Sequence, residues 1–240
     1  MIKSLIKNAL KSIGYRIEKT GSETDLTMNG ALSRCLERGV KVNTVIDVGA
    51  SDGSWTRDCL KHYPNANYLL IEAQQPHKQA LDKFCQGNPN VKYVLAAAGR
   101  KEGKIFFDNS ALFGGLASET PLEGNSIEVD VISIDAEIQR RNLKGPFLVK
   151  LDTHGFEVPI LEGAEKTLKE TSLTIIEVYN YKLTDTSLRY FEMCEYMNKL
   201  GFLSVEMVDF MLRKLDLSLW QMDLFFISSK SNEFNNNSFD

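Results

Sequence analysis

The run Thr44-Val-Ile-Asp-Val-Gly-Ala-Ser-Asp-Gly-Ser-Trp55 constrains this chain more than any other stretch. Val45, Ile46 and Val48 are β-formers with no helical period, which predicts a buried strand. Gly49 and Gly53 permit a tight turn and a close approach of backbone to a ligand. The helix that opens at residues 53–55 turns its free N–H groups toward whatever sits there. Strand, glycine turn and helix in this order begin the nucleotide site of a doubly wound α/β domain.

The glycine spacing is not the dinucleotide fingerprint, because Ser51 stands where that motif has its second glycine. A pyrophosphate pressed onto the turn is therefore disfavoured. A nucleoside ligand without phosphates fits better, and S-adenosylmethionine is the common example. Glu72 ends the next apolar run, Tyr68-Leu-Leu-Ile-Glu72, at the distance where a carboxylate accepts from both ribose hydroxyls. Asp47 is expected to face the ligand's amino-acid end, directly or through water, with Gly49, Ala50, Ser51 and Gly53 forming the turn beneath it. Ala97 and Ala98, small residues closing a third strand over 91–98, leave room for a flat ring such as adenine.

With 240 residues and 43% hydrophobic content the chain can bury one substantial core. A net charge of −4 provides no basic footprint for nucleic acid. Cys35, Cys59, Cys85 and Cys194 are widely spaced with no CxxC pair, the pattern of reduced thiols in a cytoplasmic protein.

Residues 1–17 place Ile2, Leu5, Ile6, Ala9, Leu10 and Ile13 on one helical stripe with Lys3, Lys7 and Lys11 off it. Packing on the body of the protein or against a second copy in a homodimer is the favoured expectation. Peripheral contact with an anionic membrane at the inner face is the alternative. The chain divides into this N-terminal helix and linker over 1–28, an α/β domain over 29–228, and a polar, asparagine-rich tail over 229–240 expected to be disordered.

Within the domain, helices are expected at 29–38, 54–63, 76–85, 157–169 and 187–200, with strands between them. Two strands, 104–108 and 127–134, flank a Gly- and Ser-rich loop long enough to suspect a role. Phe202 to Val208 and Leu219 to Ser228 close the domain as a hairpin. Right-handed crossovers put the C-terminal ends of parallel strands on one edge of a sheet. Asp47, Gly49, Glu72, Asp152, His154 and Glu177 all sit at such ends and are expected to share one cleft.

Methyl transfer from a sulfonium is an in-line displacement that needs alignment, exclusion of water and removal of the acceptor's proton. His154 has the side chain whose ordinary pKa suits a base near neutrality. Asp152 either orients it or takes the proton itself, with Glu177 beside them. Glu157, in the first turn of a helix, reads as a cap. Asp152, His154 and Glu177 could hold a divalent metal, but nothing in their spacing requires one, and a metal-free site is expected. His62 and His77 receive no role.

These residues lie in a wider pattern. Val45-Ile-Asp-Val-Gly-Ala50 with Gly53, Leu70-Ile-Glu72, Ala97-Ala98, and above all Val149-Lys-Leu-Asp-Thr-His-Gly-Phe-Glu157 followed by Leu161-Glu-Gly-Ala164, resemble the FkbM-type S-adenosylmethionine-dependent methyltransferases. The resemblance extends over about residues 29–228. It implies a Rossmann-like class I methyltransferase fold: a mostly parallel seven-stranded sheet with an antiparallel last strand and helices on both faces. It also implies O-methylation of a sugar, glycan precursor or related natural product, with a small-molecule or glycan acceptor. Many relatives carry glutamine or glutamate where this chain has His154, which leaves Asp152 the firmer candidate for the base. The competing readings are an NAD-dependent oxidoreductase and a non-catalytic nucleoside-binding scaffold.

Overall fold

The structure, a computed structural model, describes residues 25–122, 124 and 126–239. The N-terminal amphipathic stretch therefore lies outside the described residues. The chain enters through helix α1 (Met28–Glu37), whose first turn is capped by the Thr27 hydroxyl accepting from the Gly30 N–H. Strand β1 (Thr44–Val48), helix α2 (Ser54–Cys59), strand β2 (Asn67–Glu72), helix α3 (Lys78–Gly87) and strand β3 (Val91–Leu95) follow in alternation. β1 pairs in parallel with β2 on one side and with β8 (Phe147–Leu151) on the other. All five residues of β1 and all five of β8 are buried, as befits central strands covered on both faces.

Beyond β8 come helices α5 (Glu157–Glu162) and α6 (Glu165–Leu168), strand β9 (Thr171–Tyr179) and helix α7 (Tyr190–Lys199). The hairpin β10 (Phe202–Leu212) and β11 (Leu219–Ser228) ends the sheet. The strand order is β10-β11-β9-β8-β1-β2-β3, and β11 runs antiparallel to both neighbours. This is the α/β architecture with a reversed last strand that the sequence leads one to expect.

Alternation along the strands divides the core in two. Ile46, Val48, Leu69, Ile71, Val149 and Leu151 face one layer, where Ile160 and Leu161 of α5 and Met193 and Met197 of α7 cover them. Val45, Leu70 and Leu148 face the other, closed by Leu32 of α1, Cys59 of α2 and Leu81 of α3.

Four expectations need correction. The third strand does not run through 91–98; it breaks at Ala96, and Ala97–Ala98 (β4) joins a second sheet with β7 (Ser126–Ile132), β5 (Gly103–Asp108) and β6 (Leu116–Ser118), in the order β4-β7-β5-β6. The Gly/Ser-rich loop contains β6 (Leu116–Ser118), paired with β5 (Gly103–Asp108), while β7 (Ser126–Ile132) ends earlier than foreseen and Ser133 caps helix α4 (Ile134–Arg141). The helix over 157–169 is two helices, because Gly163 passes so close to Gly99 that a Cβ there would stand 2.1 Å from its carbonyl. The tail begins in order: Asn232–Phe234 forms a 3-10 turn, and the apolar ring of Phe234 packs against the second core layer.

Candidate active site

The C-terminal ends of β1, β2, β8 and β9 open onto a cavity of about 280 Å³. Gly49, Ser51, Glu72, Ala97, Ala98, Asp152, His154 and Glu177 all contribute to its wall. Segments far apart in sequence thus meet where parallel crossovers predict.

Gly49 is held at φ +76°, and a Cβ there would stand 2.0 Å from the Asp152 carbonyl, so only glycine lets the β1 and β8 ends approach this closely. Ser51 also has positive φ, and its N–H donates to Glu72 Oε2 at 2.7 Å, while the Gln74 N–H donates to Oε1 at 2.7 Å. Burial pushes the Glu72 carboxyl above its ordinary range, and these two N–H groups oppose that shift by favouring the ionised form.

The other predicted cofactor residues lie elsewhere. Asp47 is fully buried and absent from the cavity wall. Its Oδ2 accepts from the Thr56 hydroxyl at 2.6 Å, and its Oδ1 lies 3.6 Å from the Lys150 ammonium without a hydrogen bond. It lies behind the cavity wall, tied to Thr56 of α2 and beside Lys150 of β8. Ala50 packs in the second core layer, and Gly53 is the left-handed N-cap of α2 beside the Phe84 ring, so both shape the turn without lining the cavity.

Lys150 is the residue the sequence reading passed over. It is buried, and its Nζ sits 2.9 Å from Asp152 Oδ2, with the Trp55 ring centroid at 5.4 Å. Burial works against the ammonium, but Asp152 and Asp47 more than offset it and hold Lys150 above the usual lysine range. Burial likewise opposes ionisation of Asp152, and Lys150 reverses the balance, so Asp152 is held below the ordinary carboxylate range.

His154 Nε2 lies 4.0 Å from Asp152 Oδ1 and 3.7 Å from Glu177 Oε1. Burial lowers its pKa against the pull of Asp152, favouring the neutral ring. Glu177 accepts from the Tyr179 hydroxyl at Oε1 and from the Gln221 amide at Oε2, the latter at 2.6 Å. Burial, reinforced by the charge of Asp152, pushes its pKa up to about 8. The corner therefore sets a carboxyl pushed toward its ionised form beside an imidazole pushed toward its neutral form and a carboxyl pushed toward its protonated form, a set able to receive and pass a proton. Glu157 accepts from the Gly155 N–H at 2.7 Å and the Thr153 hydroxyl at 3.2 Å, so it ties down the loop before α5, and the helix itself has no side-chain cap.

His77 also reaches the cavity, contrary to the sequence reading. It is buried, its Nε2 donates to the Leu112 carbonyl at 2.9 Å, and its ring meets Phe113 at 5.3 Å between centroids. Gln74 donates to the Ala111 and Leu112 carbonyls, both at 3.1 Å. Together they strap the Leu112–Gly115 part of the β5–β6 connection across the cavity mouth.

One donor atom each from Asp152, His154 and Glu177 lies within 4.8 Å of the others, close enough to surround a divalent cation. The Lys150 ammonium takes Asp152 Oδ2 and leaves Oδ1 facing His154.

Comparison with known proteins gives the site a context. The chain is 23% identical over 172 residues to the hexuronic acid methyltransferase AglP of Haloferax volcanii, spanning 69% of this chain and 66% of that protein. The crystal structure of methyltransferase FkbM from Methylobacillus flagellatus KT superposes with a TM-score of 0.52 at 16% identity, covering 76% of this chain and 43% of that one, and so shares the fold. This chain thus spans about two thirds of the former and under half of the latter. The family described as Methyltransferase FkbM domain matches residues 47–204, from the buried Asp47 of β1 through β9 into β10, and the chain belongs to that family of methyltransferases.

Proposed function

We propose that this protein is an S-adenosylmethionine-dependent O-methyltransferase acting in the cytoplasm on a hydroxyl of a sugar or glycan precursor. The observation that carries the reading is that Glu72 and Asp152, at the ends of separate strands, line the same cavity. Each Glu72 oxygen accepts one backbone N–H, which leaves lone pairs free for two ribose hydroxyls. Ala96, Ala97 and Ala98 provide a flat, small-residue wall for adenine. When bound, S-adenosylmethionine supplies a methyl carbon on a positively charged sulfur. Asp152 Oδ2 is held by Lys150, so Oδ1 would be free to accept the proton of an acceptor hydroxyl. His154 stands ready to relay or orient that proton.

The name of the Haloferax volcanii relative supports a sugar acid as the acceptor class. An NAD-dependent reaction is disfavoured because the Ser51 N–H, which would face a pyrophosphate, is committed to Glu72. The test is label transfer from methyl-labelled S-adenosylmethionine to a panel of hexuronic and neutral glycans, with calorimetry for S-adenosylmethionine and NAD in parallel. Label at a hydroxyl and binding of S-adenosylmethionine alone are expected. Binding without transfer across the panel would favour the scaffold reading, and binding of NAD would overturn the assignment.

A further inference from the structure

The hairpin β10–β11 carries an apolar surface that the active site does not use. Met207, Phe210, Met211 and Leu212 are 41–53% exposed, and Leu215 and Leu217 in its turn are 81% and 71% exposed. Exposed apolar side chains concentrated on a single hairpin point to a contact.

Its occupant is indicated by the path of the chain. Among the described residues β10 is an edge strand of the seven-stranded sheet, and the Asp209 N–H in its second half donates to the Leu26 carbonyl at 3.1 Å. Asp209 Oδ2 in turn accepts from the Met28 N–H at 3.1 Å. The segment leading into α1 therefore crosses the free edge of β10 among the exposed apolar residues, and Leu26, 55% exposed, extends the same surface. Edge-to-edge pairing with a second copy would need that N–H and a regular ladder. The first is taken, and the bulge in β10 between Val208 and Met211 interrupts the second.

Immediately upstream the sequence supplies Ile2, Leu5, Ile6, Ala9, Leu10 and Ile13 on one helical stripe. The residues between Ile13 and Asp25 can extend about 35 Å, against an exposed strand of about 20 Å, so the stripe reaches the hairpin without strain. Tethering also favours contact within the chain over contact between chains. We propose that residues 1–17 dock as an amphipathic helix on the β10–β11 hairpin of their own chain, with the apolar stripe facing Met207, Phe210, Met211, Leu212, Leu215 and Leu217.

The test places cysteines at Leu10 and Met211 in the full chain, with Cys85→Ser and Cys194→Ser to remove competing thiols, and treats dilute protein with a short bismaleimide. A control pairs Leu10→Cys with Lys92→Cys on β3, at the opposite edge of the sheet. A cross-link within the monomer is expected for Met211 only, and Leu215→Asp should lower its yield at least about fivefold with the melting temperature kept. Cross-linked dimer that grows with concentration would overturn the proposal in favour of a second copy. Loss of the link on anionic phosphatidylglycerol vesicles, with co-sedimentation, would overturn it in favour of a membrane. Equal yields at Met211 and Lys92 would overturn docking altogether.

Discussion

Asp152 is held between a buried ammonium and a neutral imidazole, and the two neighbours contribute differently. Lys150 keeps it ionised, whereas His154 is more than a hydrogen-bond length away. Asp152→Asn should therefore lower kcat by about 10²–10⁴ with cofactor affinity unchanged in calorimetry. His154→Asn, chosen because φ is +53° there and asparagine tolerates that region, should lower kcat by less than about tenfold. The reverse ranking would make His154 the base. If Lys150 rather than a cation balances Asp152, dialysis against EDTA should leave turnover within about twofold, and a larger loss restored by magnesium would refute that. Gly49→Ala adds a Cβ 2.0 Å from a backbone oxygen at a positive φ, so it should cost about 3 kcal/mol or more in thermal unfolding. At this scale the sequence reveals whatever stands at the exposed end of a strand: Glu72, Asp152, His154 and Glu177. It does not distinguish Asp47, which is acidic and in the same pattern but one step too deep. It hides Lys150, which looks like a solvated charge until the sheet buries it between two carboxylates.

Elements with one strong period were legible, and those defined by their neighbours were not. β1, β2 and β8 declare themselves through short runs of apolar β-formers, broken within β1 only by Asp47 and within β8 only by Lys150, and Gly201, at φ +87°, marks the end of α7. α4 had a signal that a strand reading obscured: Ser133 as N-cap, Asp135 and Glu137 in the first turn, Arg140 and Arg141 in the last. The break at Ala96 had none, because only pairing of β4 with β7 removes those alanines from the main sheet. That second sheet brings the Leu112–Gly115 strap over the cavity, fastened by Gln74 and His77. Replacing both with alanine should release it. Amide exchange over 109–118 should quicken and cofactor affinity should fall about tenfold, since the mouth would no longer close. Unchanged exchange in that segment would show that the strap is held by other contacts.

Across the whole molecule, the cluster of carboxyls at one sheet edge ties stability to pH. Glu177 rises from an ordinary 4.5 to about 8 and Asp223, opposite it in the β9–β11 register, from 3.8 to about 7, both chiefly through burial. Asp152 adds to each shift and Lys150 opposes each, while the Tyr179 hydroxyl also opposes that of Glu177. The folded state thus keeps protons that the unfolded chain releases, so this stabilising contribution is complete below the unfolded values and disappears as pH rises through the folded ones. His154 acts the other way, because its folded pKa is lowered, but that opposing slope ends near its ordinary 6.5. Cys35, raised from 9.0 to about 11, enters only in more alkaline solution. Between pH 7 and 8.5 the carboxyls dominate, and the protein should lose about 1–2 kcal/mol, or about 3–6 °C in melting temperature. Glu177→Gln keeps an acceptor for the Tyr179 hydroxyl and has no proton to lose. Its melting temperature should fall by less than about 2 °C over the same window and exceed that of the parent at pH 8.5. Parallel melting curves for the two proteins across that range would mean that Glu177 is already ionised in the folded state, and the proton-holding corner would have to be reassigned.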